Sequence, residues 1–336
     1  MEKIKHIEIS NFKSIKHLEI NDCNKINVFI GMPNAGKSNL LEALGFYGMI
    51  LDNKAESIKE FIRFKINSEL FFEETTSKSI KIEVDSNELK VISTDNYDSR
   101  EMTSPLGEHL FTPFGNGFAY DKSIIRDTWN TTKKKSKIKK YSFTNSIFRN
   151  NNNRSTLEFP DGFNLVQVIS SNPELRKVVN QLFKENNLKL LIEKNTNDLK
   201  IFKEYQDGTV FTLSYNLIAD TLQRLIFYKA AIMSNQDTIL LFEEPEAHCF
   251  EPYILEFTNS VKYDENDNQF FIVTHSDFII KEFLRDEESK ENTNIYLVNN
   301  VDGETKVKLL EKNKNEDVYE YGMNPFFNFE SLWETN

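Results

Sequence analysis

Residues 31–38 carry glycine, lysine and serine at a spacing suited to binding phosphate groups. The segment reads Gly-Met-Pro-Asn-Ala-Gly-Lys-Ser and fits the pattern G-x-x-x-x-G-K-[ST] at every defined position. Glycines let backbone N–H groups surround phosphate oxygens, and the dipole of a following helix adds to the attraction. Lys37 would place its charge at the β- and γ-phosphates, and the Ser38 hydroxyl would ligate Mg²⁺. The alternative is a turn that matches by accident. The residues predicted to bind ATP here are Gly31, Asn34, Ala35, Gly36, Lys37, Ser38 and Asn39.

Two carboxylates, Glu243 and Glu244, follow the apolar run at residues 238–242. An acid at the carboxyl end of a buried strand, beside a phosphate-binding loop, can hold Mg²⁺ directly or through water. A second acid one residue later points in a different direction and can polarise a water for in-line attack on the γ-phosphate. Without the loop, two acids in this position would indicate only a solvated strand end.

A histidine, His275, follows the next apolar run at residues 270–273 in the same way. Neighbouring parallel strands bring their carboxyl ends to one edge of a sheet, so His275 would lie near the nucleotide. A lone histidine is more often structural than catalytic. Its position predicts a γ-phosphate sensor, whereas His248 is interpreted as a packing residue at a helix end.

The hydrophobic pattern predicts the elements that must position these residues. Strands are expected at 3–9, 15–20 and 25–30, and a helix begins at Ser38. Further along, the pattern predicts a helix at 56–66, a hairpin at 79–94 turning at 85–87, a helix at 173–184, strands at 188–192, 199–205 and 209–213, and a helix from residue 220. Unbroken apolar strands that alternate with helices indicate a mostly parallel sheet covered on both faces.

The composition excludes several classes of protein. The chain has 336 residues and a net charge of −11, so it is not a general polyanion binder. No window is apolar enough for a membrane-spanning helix, and the first residues lack the apolar stretch of a secretion signal. Cys23 and Cys249 are far apart in sequence, which argues against a disulfide framework or a zinc site. We therefore expect a soluble, cytoplasmic protein with no membrane partner.

The three motifs, in this order, resemble the ABC-type ATPase head of the SMC, RecF and OLD-like families. Glu-Ile-Ser-Asn-Phe-Lys-Ser at 8–14 is similar to their opening strand, and Leu-Leu-Phe-Glu-Glu-Pro-Glu-Ala-His at 240–248 to the Walker B segment of the OLD-like branch. Thr-His-Ser at 274–276 looks like their switch histidine. The resemblance covers about residues 1–50 and 205–300. It implies an α/β P-loop NTPase fold with a mostly parallel sheet, N-terminal antiparallel strands and an inserted α+β lobe.

The resemblance also implies roles for individual residues. Lys37 and Ser38 would serve phosphate and Mg²⁺, Glu243 would bind Mg²⁺, Glu244 would be the general base, and His275 the sensor. Heads of this group dimerise with ATP between the protomers, so a homodimer or higher homo-oligomer is expected.

The signature loop of the family departs from its usual form in this chain. The corresponding stretch, 213–221, has no glycine, although Ser214 or Asn216 could still contact a phosphate across the dimer. Asp220 is interpreted as the N-cap of the helix that follows. No glutamine loop can be identified, and completion of the ATP site by a second subunit stays open.

The predicted domains are a discontinuous ATPase core, 1–51 and 206–336, and an inserted lobe, 52–205. The lobe contains a basic loop at 128–157, a stretch with eight lysines and arginines and no acidic residue. Such segregation suggests an anionic partner, and Trp129, Tyr141, Phe143 and Phe148 could stack on bases of a nucleic acid. A flexible solvated loop is the alternative.

OLD-like nucleases carry a TOPRIM domain after the head, and the residues that follow Asn300 are too few for one. Any nuclease or toxin activity is therefore expected from a separate effector protein, as in defence systems against phage. The sequence predicts a Mg²⁺-dependent ATPase that controls such an effector. The alternatives are a RecF- or SMC-like DNA-binding ATPase in DNA repair or maintenance, a nucleotide-gated scaffold with negligible turnover, and, least expected, a transporter subunit.

Overall fold

A computed structural model of the protein describes residues 3–52, 58–94, 111–114, 118–121, 137–144, 154–184, 187–193, 196 and 198–335. The strands are β1 (Ile7–Phe12), β2 (Ile15–Ile20), β3 (Ile26–Ile30), β4 (Ile80–Val84), β5 (Asn87–Ser93), β6 (Phe111–Phe114), β7 (Phe118–Asp121), β8 (Ile138–Tyr141), β9 (Lys189–Glu193), β10 (Asp198–Glu204), β11 (Val210–Ser214), β12 (Ile239–Glu243), β13 (Gln269–Val273), β14 (Thr293–Val301) and β15 (Glu304–Leu309). The α-helices are α1 (Lys37–Leu51), α2 (Ile58–Phe61), α3 (Leu165–Ser171), α4 (Pro173–Lys184), α5 (Asp220–Ser234), α6 (Glu251–Lys262), α7 (Asp277–Leu284), α8 (Glu287–Glu291), α9 (Lys312–Tyr319) and α10 (Phe329–Thr335).

A six-stranded sheet forms the centre of the fold, in the order β15-β14-β3-β13-β12-β8. The five strands from β14 to β8 run parallel, and β15 alone pairs antiparallel. All residues of β3 and β13 are buried, as expected for strands with helices on both faces. Strand β3 lies between β14 and β13, where the strand order changes direction. Open α/β sheets bind ligands at such a point, outside the carboxyl ends of the strands.

Helix α1 begins directly after the phosphate-binding loop and packs closely on the edge strand β8. Two glycines of α1 face this strand. A Cβ atom at Gly48 would lie 2.4 Å from the carbonyl oxygen of Ile138, and one at Gly45 would lie 3.3 Å from Cβ of Lys140. The absence of side chains at these positions lets the helix approach the strand.

The N-terminal strands belong to a second, antiparallel sheet in the order β2-β1-β4-β5-β7-β6. A third sheet, β11-β10-β9, is also antiparallel. The predicted hairpin at 79–94 is confirmed as β4 and β5, with Asp85 in the turn at a φ of +55°. The predicted mostly parallel sheet and the predicted N-terminal antiparallel strands are confirmed.

Three local predictions meet different outcomes. The helix at 173–184 is confirmed residue for residue. The helix predicted at 56–66 is wrong after Phe61, and residues 53–57 lie outside the described part. Asp220 is not an N-cap, because α5 begins at Asp220 itself and its carboxylate accepts a hydrogen bond from Nε of Arg224 at 2.7 Å.

Strand β8 lies within the segment predicted as the inserted lobe, yet it pairs in parallel with β12 of the central sheet. The segment 52–205 therefore supplies strands to more than one sheet, while the division into core and lobe stays a prediction. None of the helices within the described ranges is long and apolar enough to cross a bilayer.

Candidate ATP-binding and hydrolysis site

The loop at 31–38 contains two positions that only glycine can occupy. A Cβ atom at Gly31 would lie 2.0 Å from the carbonyl oxygen of Val298, in β14. Gly36 has a φ of +94°, and a Cβ there would lie 1.9 Å from Oγ1 of Thr305, in β15. The loop is therefore wedged against the β14–β15 hairpin and turns sharply into α1.

A chain of polar contacts fixes this loop from both sides. The Thr305 hydroxyl donates to the carbonyl oxygen of Ala35 at 3.1 Å and lies 2.6 Å from Oγ of Ser14. The side-chain amide of Asn39 donates to the same Ser14 oxygen at 2.6 Å. Asn39, predicted as a nucleotide contact, thus has its amide engaged in the support of the loop. Ser14 and Thr305 could not be predicted as supports of the loop, because nothing in their local sequence patterns indicates contact with it.

Lys37 lies inside the loop rather than in solvent. Its ammonium group donates to the carbonyl oxygens of Gly31 and Met32, both at 2.9 Å, and the residue is only 5% exposed. Burial lowers the pKa of Lys37 to about 8, although the nearby Glu244 carboxylate acts in the opposite direction. A buried cation enclosed by a loop of this kind is positioned to meet phosphate oxygens. The side chains of Met32, Pro33 and Asn34 are exposed beside it.

Glu243, the last residue of β12, accepts a hydrogen bond from the Ser38 hydroxyl. Burial alone would raise the pKa of Glu243, but Lys140, a hydrogen bond from the Ser38 hydroxyl, and Arg63 lower it below its ordinary value. Nζ of Lys140 lies 3.0 Å from Oε2 of Glu243, and Nη2 of Arg63 lies 3.0 Å from Oε1. Glu243 is therefore an ionised carboxylate next to a hydroxyl.

These two oxygen donors fit a magnesium ion. Mg²⁺ is usually held by one or two carboxylates together with substrate phosphates and waters, not by an all-protein cage. The described ranges contain no cluster of three or more His, Cys, Asp or Glu side chains able to hold a metal by themselves. A site of this composition accepts a metal that arrives together with phosphate.

Lys140, predicted as part of the basic loop, is a residue of this site. Its side chain is 5% exposed, and its aliphatic part passes over Gly45 to reach Glu243. The next residue, Tyr141, is fully buried and its hydroxyl donates to the carbonyl oxygen of Leu157 at 2.8 Å. The prediction that Tyr141 stacks on a base is therefore wrong.

Most of the predicted basic loop, including Trp129 and Phe148, lies outside the described residues. The basic residues that are described are engaged within the chain: Lys137 pairs with Asp237, Lys139 contacts Asn235, and Arg154 pairs with Glu158. Phe143 is half-buried, and the guanidinium of Arg224 lies 4.7 Å from its ring centroid.

Glu244 and His275 face each other at the ends of β12 and β13. Nε2 of His275 lies 3.5 Å from Oε1 of Glu244. Burial and the charge of Lys37 lower the pKa of His275, while Glu244 opposes them, so the ring is neutral near pH 7. Glu244 has a φ of +45°, a costly backbone conformation for a residue with a side chain, and such strain is concentrated at functional sites. The structure thus brings together Lys37, Glu244 and His275.

The other predicted residues lie elsewhere. Ser214 ends β11, Asn216 lies in the 3₁₀ turn Tyr215–Leu217, and both side chains are exposed. Within the described part of the chain, no hydrogen bond joins either residue to the loop at 31–38. His248 is exposed with a φ of +58°, so its interpretation as a packing residue is wrong.

Comparison with known proteins gives the family. A family model described as "AAA domain, putative AbiEii toxin, Type IV TA system" matches residues 26–281. An ATP/GTP phosphatase of Helicobacter pylori (strain ATCC 700392 / 26695) is 24% identical over 348 residues, 87% of this chain and 91% of that protein. The DNA replication and repair protein RecF of Thermoanaerobacter sp. (strain X514) is 28% identical over 130 residues, 37% of this chain and 34% of RecF.

Among solved structures, an SMC head bound to the C-terminal winged-helix domain of ScpA aligns with a TM-score of 0.55. The alignment covers 93% of this chain and 99% of that chain, and at 15% identity it shows a shared fold. The family model spans well over half of this chain. The protein therefore belongs to the AAA-domain family of that description, and the predicted fold, that of an ABC-type ATPase head, is confirmed by the SMC head.

Proposed function

We propose that the protein binds Mg·ATP at the loop 31–38, hydrolyses it slowly, and uses the ATP-bound state to assemble with a second copy and to control a separate effector protein. The observation that carries this proposal is the meeting of Lys37, Glu244 and His275, which come from three distant segments. Each lies at the carboxyl end of a central strand or in the loop that follows it, where a triphosphate would be held.

Each residue has a definite task in this proposal. The loop and Lys37 hold the phosphates, and Ser38 and Glu243 hold the metal, which supplies positive charge to the phosphate oxygens. Glu244 accepts a proton from the attacking water, because it is the exposed carboxylate of the pair and is not held by the two cations that hold Glu243. His275, neutral near pH 7, orients toward Glu244 and senses the γ-phosphate.

Assembly and effector control rest on the surface of the chain and on its relatives. Ser214 and Asn216 are exposed, so both are accessible to the ATP of a second copy. The SMC head was solved with a bound domain of another protein, ScpA, which supports a head that acts through a partner. We propose that this control of an effector serves defence against phage. The similarity to RecF favours a second candidate, a DNA-binding ATPase in repair or maintenance.

Phosphate release by the wild type, Glu244→Gln and Glu251→Gln tests the proposal. Glu251 is an exposed glutamate at the start of α6, so the same substitution there is a matched control. Loss of a general base lowers turnover by about 10²–10⁴-fold, and we expect Glu244→Gln to lose that much while it still binds ATP. Glu251→Gln should retain wild-type turnover.

Wild-type turnover in Glu244→Gln would contradict the assigned base. If the wild type binds ATP and releases no phosphate, the nucleotide-gated scaffold replaces the proposal. Sedimentation of Glu244→Gln with and without Mg·ATP tests assembly, and an unchanged molecular mass would contradict it.

A further inference from the structure

A half-buried glutamate, Glu246, connects the ends of β12 and β13. It lies in the turn after β12, two residues beyond Glu244. Its Oε1 atom accepts one hydrogen bond from the Thr274 hydroxyl at 2.8 Å and one from the backbone N–H of His275 at 2.7 Å. Both donors belong to the segment that follows β13. A single carboxyl oxygen therefore fixes the backbone of the residue whose side chain faces Glu244.

The contacts of this segment continue into the next helix. Oγ1 of Thr274 donates to Glu246 and accepts from the backbone N–H of Ser276 at 3.0 Å. Ser276 is the N-cap of α7, and its hydroxyl accepts from the N–H of Ile279 at 3.3 Å. The segment 274–276 is thus held at one end by a helix cap and at the other by Glu246.

The second oxygen of Glu246, Oε2, is buried and has no hydrogen-bond partner among the described residues. A charged oxygen in that position is costly, and burial raises the pKa of Glu246 despite the hydrogen bonds from His275 and Thr274. A proton on Oε2 leaves Oε1 free to accept both bonds. The hydrogen bonds, not the charge, therefore hold the segment, and a glutamine at this position preserves the acceptor.

The orientation of His275 depends on few other contacts. Its ring stacks on Phe326, with centroids 6.2 Å apart, and its Nε2 lies 3.5 Å from Glu244. The His275 side chain is 37% exposed, so packing around it leaves it room to move. Loss of the backbone anchor would let the whole residue move away from Glu244.

We propose that Glu246 is the positioning residue that holds His275 against Glu244 during ATP hydrolysis. The inference rests on the proposed function above. Among the described residues, the hydrogen bonds of the Glu246 carboxyl group go to Thr274 and His275, so it acts through the position of His275.

The test compares Glu246→Ala, Glu246→Gln and Thr274→Val by kinetics and by NMR titration of His275 in the nucleotide-free protein. The chain has five histidines, and a His275→Gln spectrum assigns the signal. Small displacements of catalytic groups cost on the order of a hundredfold in rate, so Glu246→Ala should lower kcat by about that factor and leave KM within about threefold. In the same variant the pKa of His275 should rise toward its ordinary value, because the ring leaves its buried position near Lys37.

Glu246→Gln should restore both kcat and the His275 titration, and Thr274→Val, which removes one of the two bonds, should fall between. An unchanged His275 titration in Glu246→Ala and Thr274→Val would overturn the proposal, as would a Glu246→Gln variant as impaired as Glu246→Ala. If Glu246→Ala fails to fold, the His275 titration and kcat of Thr274→Val and Glu246→Gln still test the proposal. A wild type without turnover would refute the proposed function, whereas the NMR shift would still report the position of His275.

Discussion

Two glycines in the same helix, Gly45 and Gly48, should respond differently to the same substitution. Both lie in α1 on the side that contacts β8. At Gly48 an added Cβ would meet the carbonyl oxygen of Ile138 at 2.4 Å and its Cβ at 3.0 Å. At Gly45 the added Cβ would lie 3.3 Å from Cβ and 3.4 Å from Cδ of Lys140, contacts that a small shift relieves. We expect Gly48→Ala to destabilise the protein and Gly45→Ala to leave its stability nearly unchanged.

The magnitudes follow from helix propensity and packing. Alanine in place of glycine within a helix stabilises by about 0.5–1 kcal/mol. At residue 45 this gain roughly offsets a small shift of the Lys140 stem, so the free energy of unfolding should change by less than about 0.5 kcal/mol. At residue 48 a strand carbonyl must move, and overpacking of this kind costs about 1–3 kcal/mol. The expected net loss is about 1–2 kcal/mol.

Urea unfolding of the wild type and both variants, followed by tryptophan fluorescence, measures the difference. ATP binding by Gly45→Ala should match the wild type, because the loop at 31–38 is untouched. If Gly48→Ala is as stable as the wild type, α1 does not rest on β8 as described. The path by which Lys140 reaches Glu243 would then also be wrong.

Two further predictions concern the cations and hydroxyls around the nucleotide site. Lys140→Met removes a cation that keeps the pKa of Glu243 low, so the carboxylate should take up a proton at a higher pH than in the wild type. Mg²⁺-dependent binding of ATP, which needs the ionised form, should therefore be lost at a higher pH as the solution is acidified. ATP binding measured across a range of pH tests this prediction. If the variant and the wild type lose ATP binding at the same acidic pH, the ion pair between Lys140 and Glu243 is not formed. Thr305→Val removes the donor to Ala35 and should weaken ATP binding about fivefold, since a hydrogen bond is worth about 1 kcal/mol. Thr212→Val, on the exposed strand β11, is the matched control and should bind ATP normally; equal affinities for the two variants would contradict the support assigned to Thr305.

The sequence predicted the strands and loops that carry the site because their signals are local. The loop pattern, the acids after one apolar strand and His275 after the next each occupy a few consecutive residues. Parallel pairing then brings Glu244 and His275 to one edge of the sheet, and the structure places them 3.5 Å apart. The roles of these residues in hydrolysis remain predictions.

Lys140 could not be assigned in the same way. It lies among lysines and polar residues, and a four-residue strand with two lysines does not resemble a buried strand. Its burial arises from Gly45, far away in the chain, which leaves room for its side chain. The role of Thr305 could not be predicted either, because its contact with the loop depends on the pairing of β14 with β3.

The contact between Thr305 and Ala35 also bears on the order in which the molecule is completed during synthesis. The phosphate-binding loop leaves the ribosome well before β15, because Thr305 follows Ala35 by 270 residues. Until residue 305 is available, the nascent chain has the loop without the hydroxyl that braces it and without the strand against which Gly36 turns. Capture of nucleotide at full affinity is thereby deferred until residue 305 has been made.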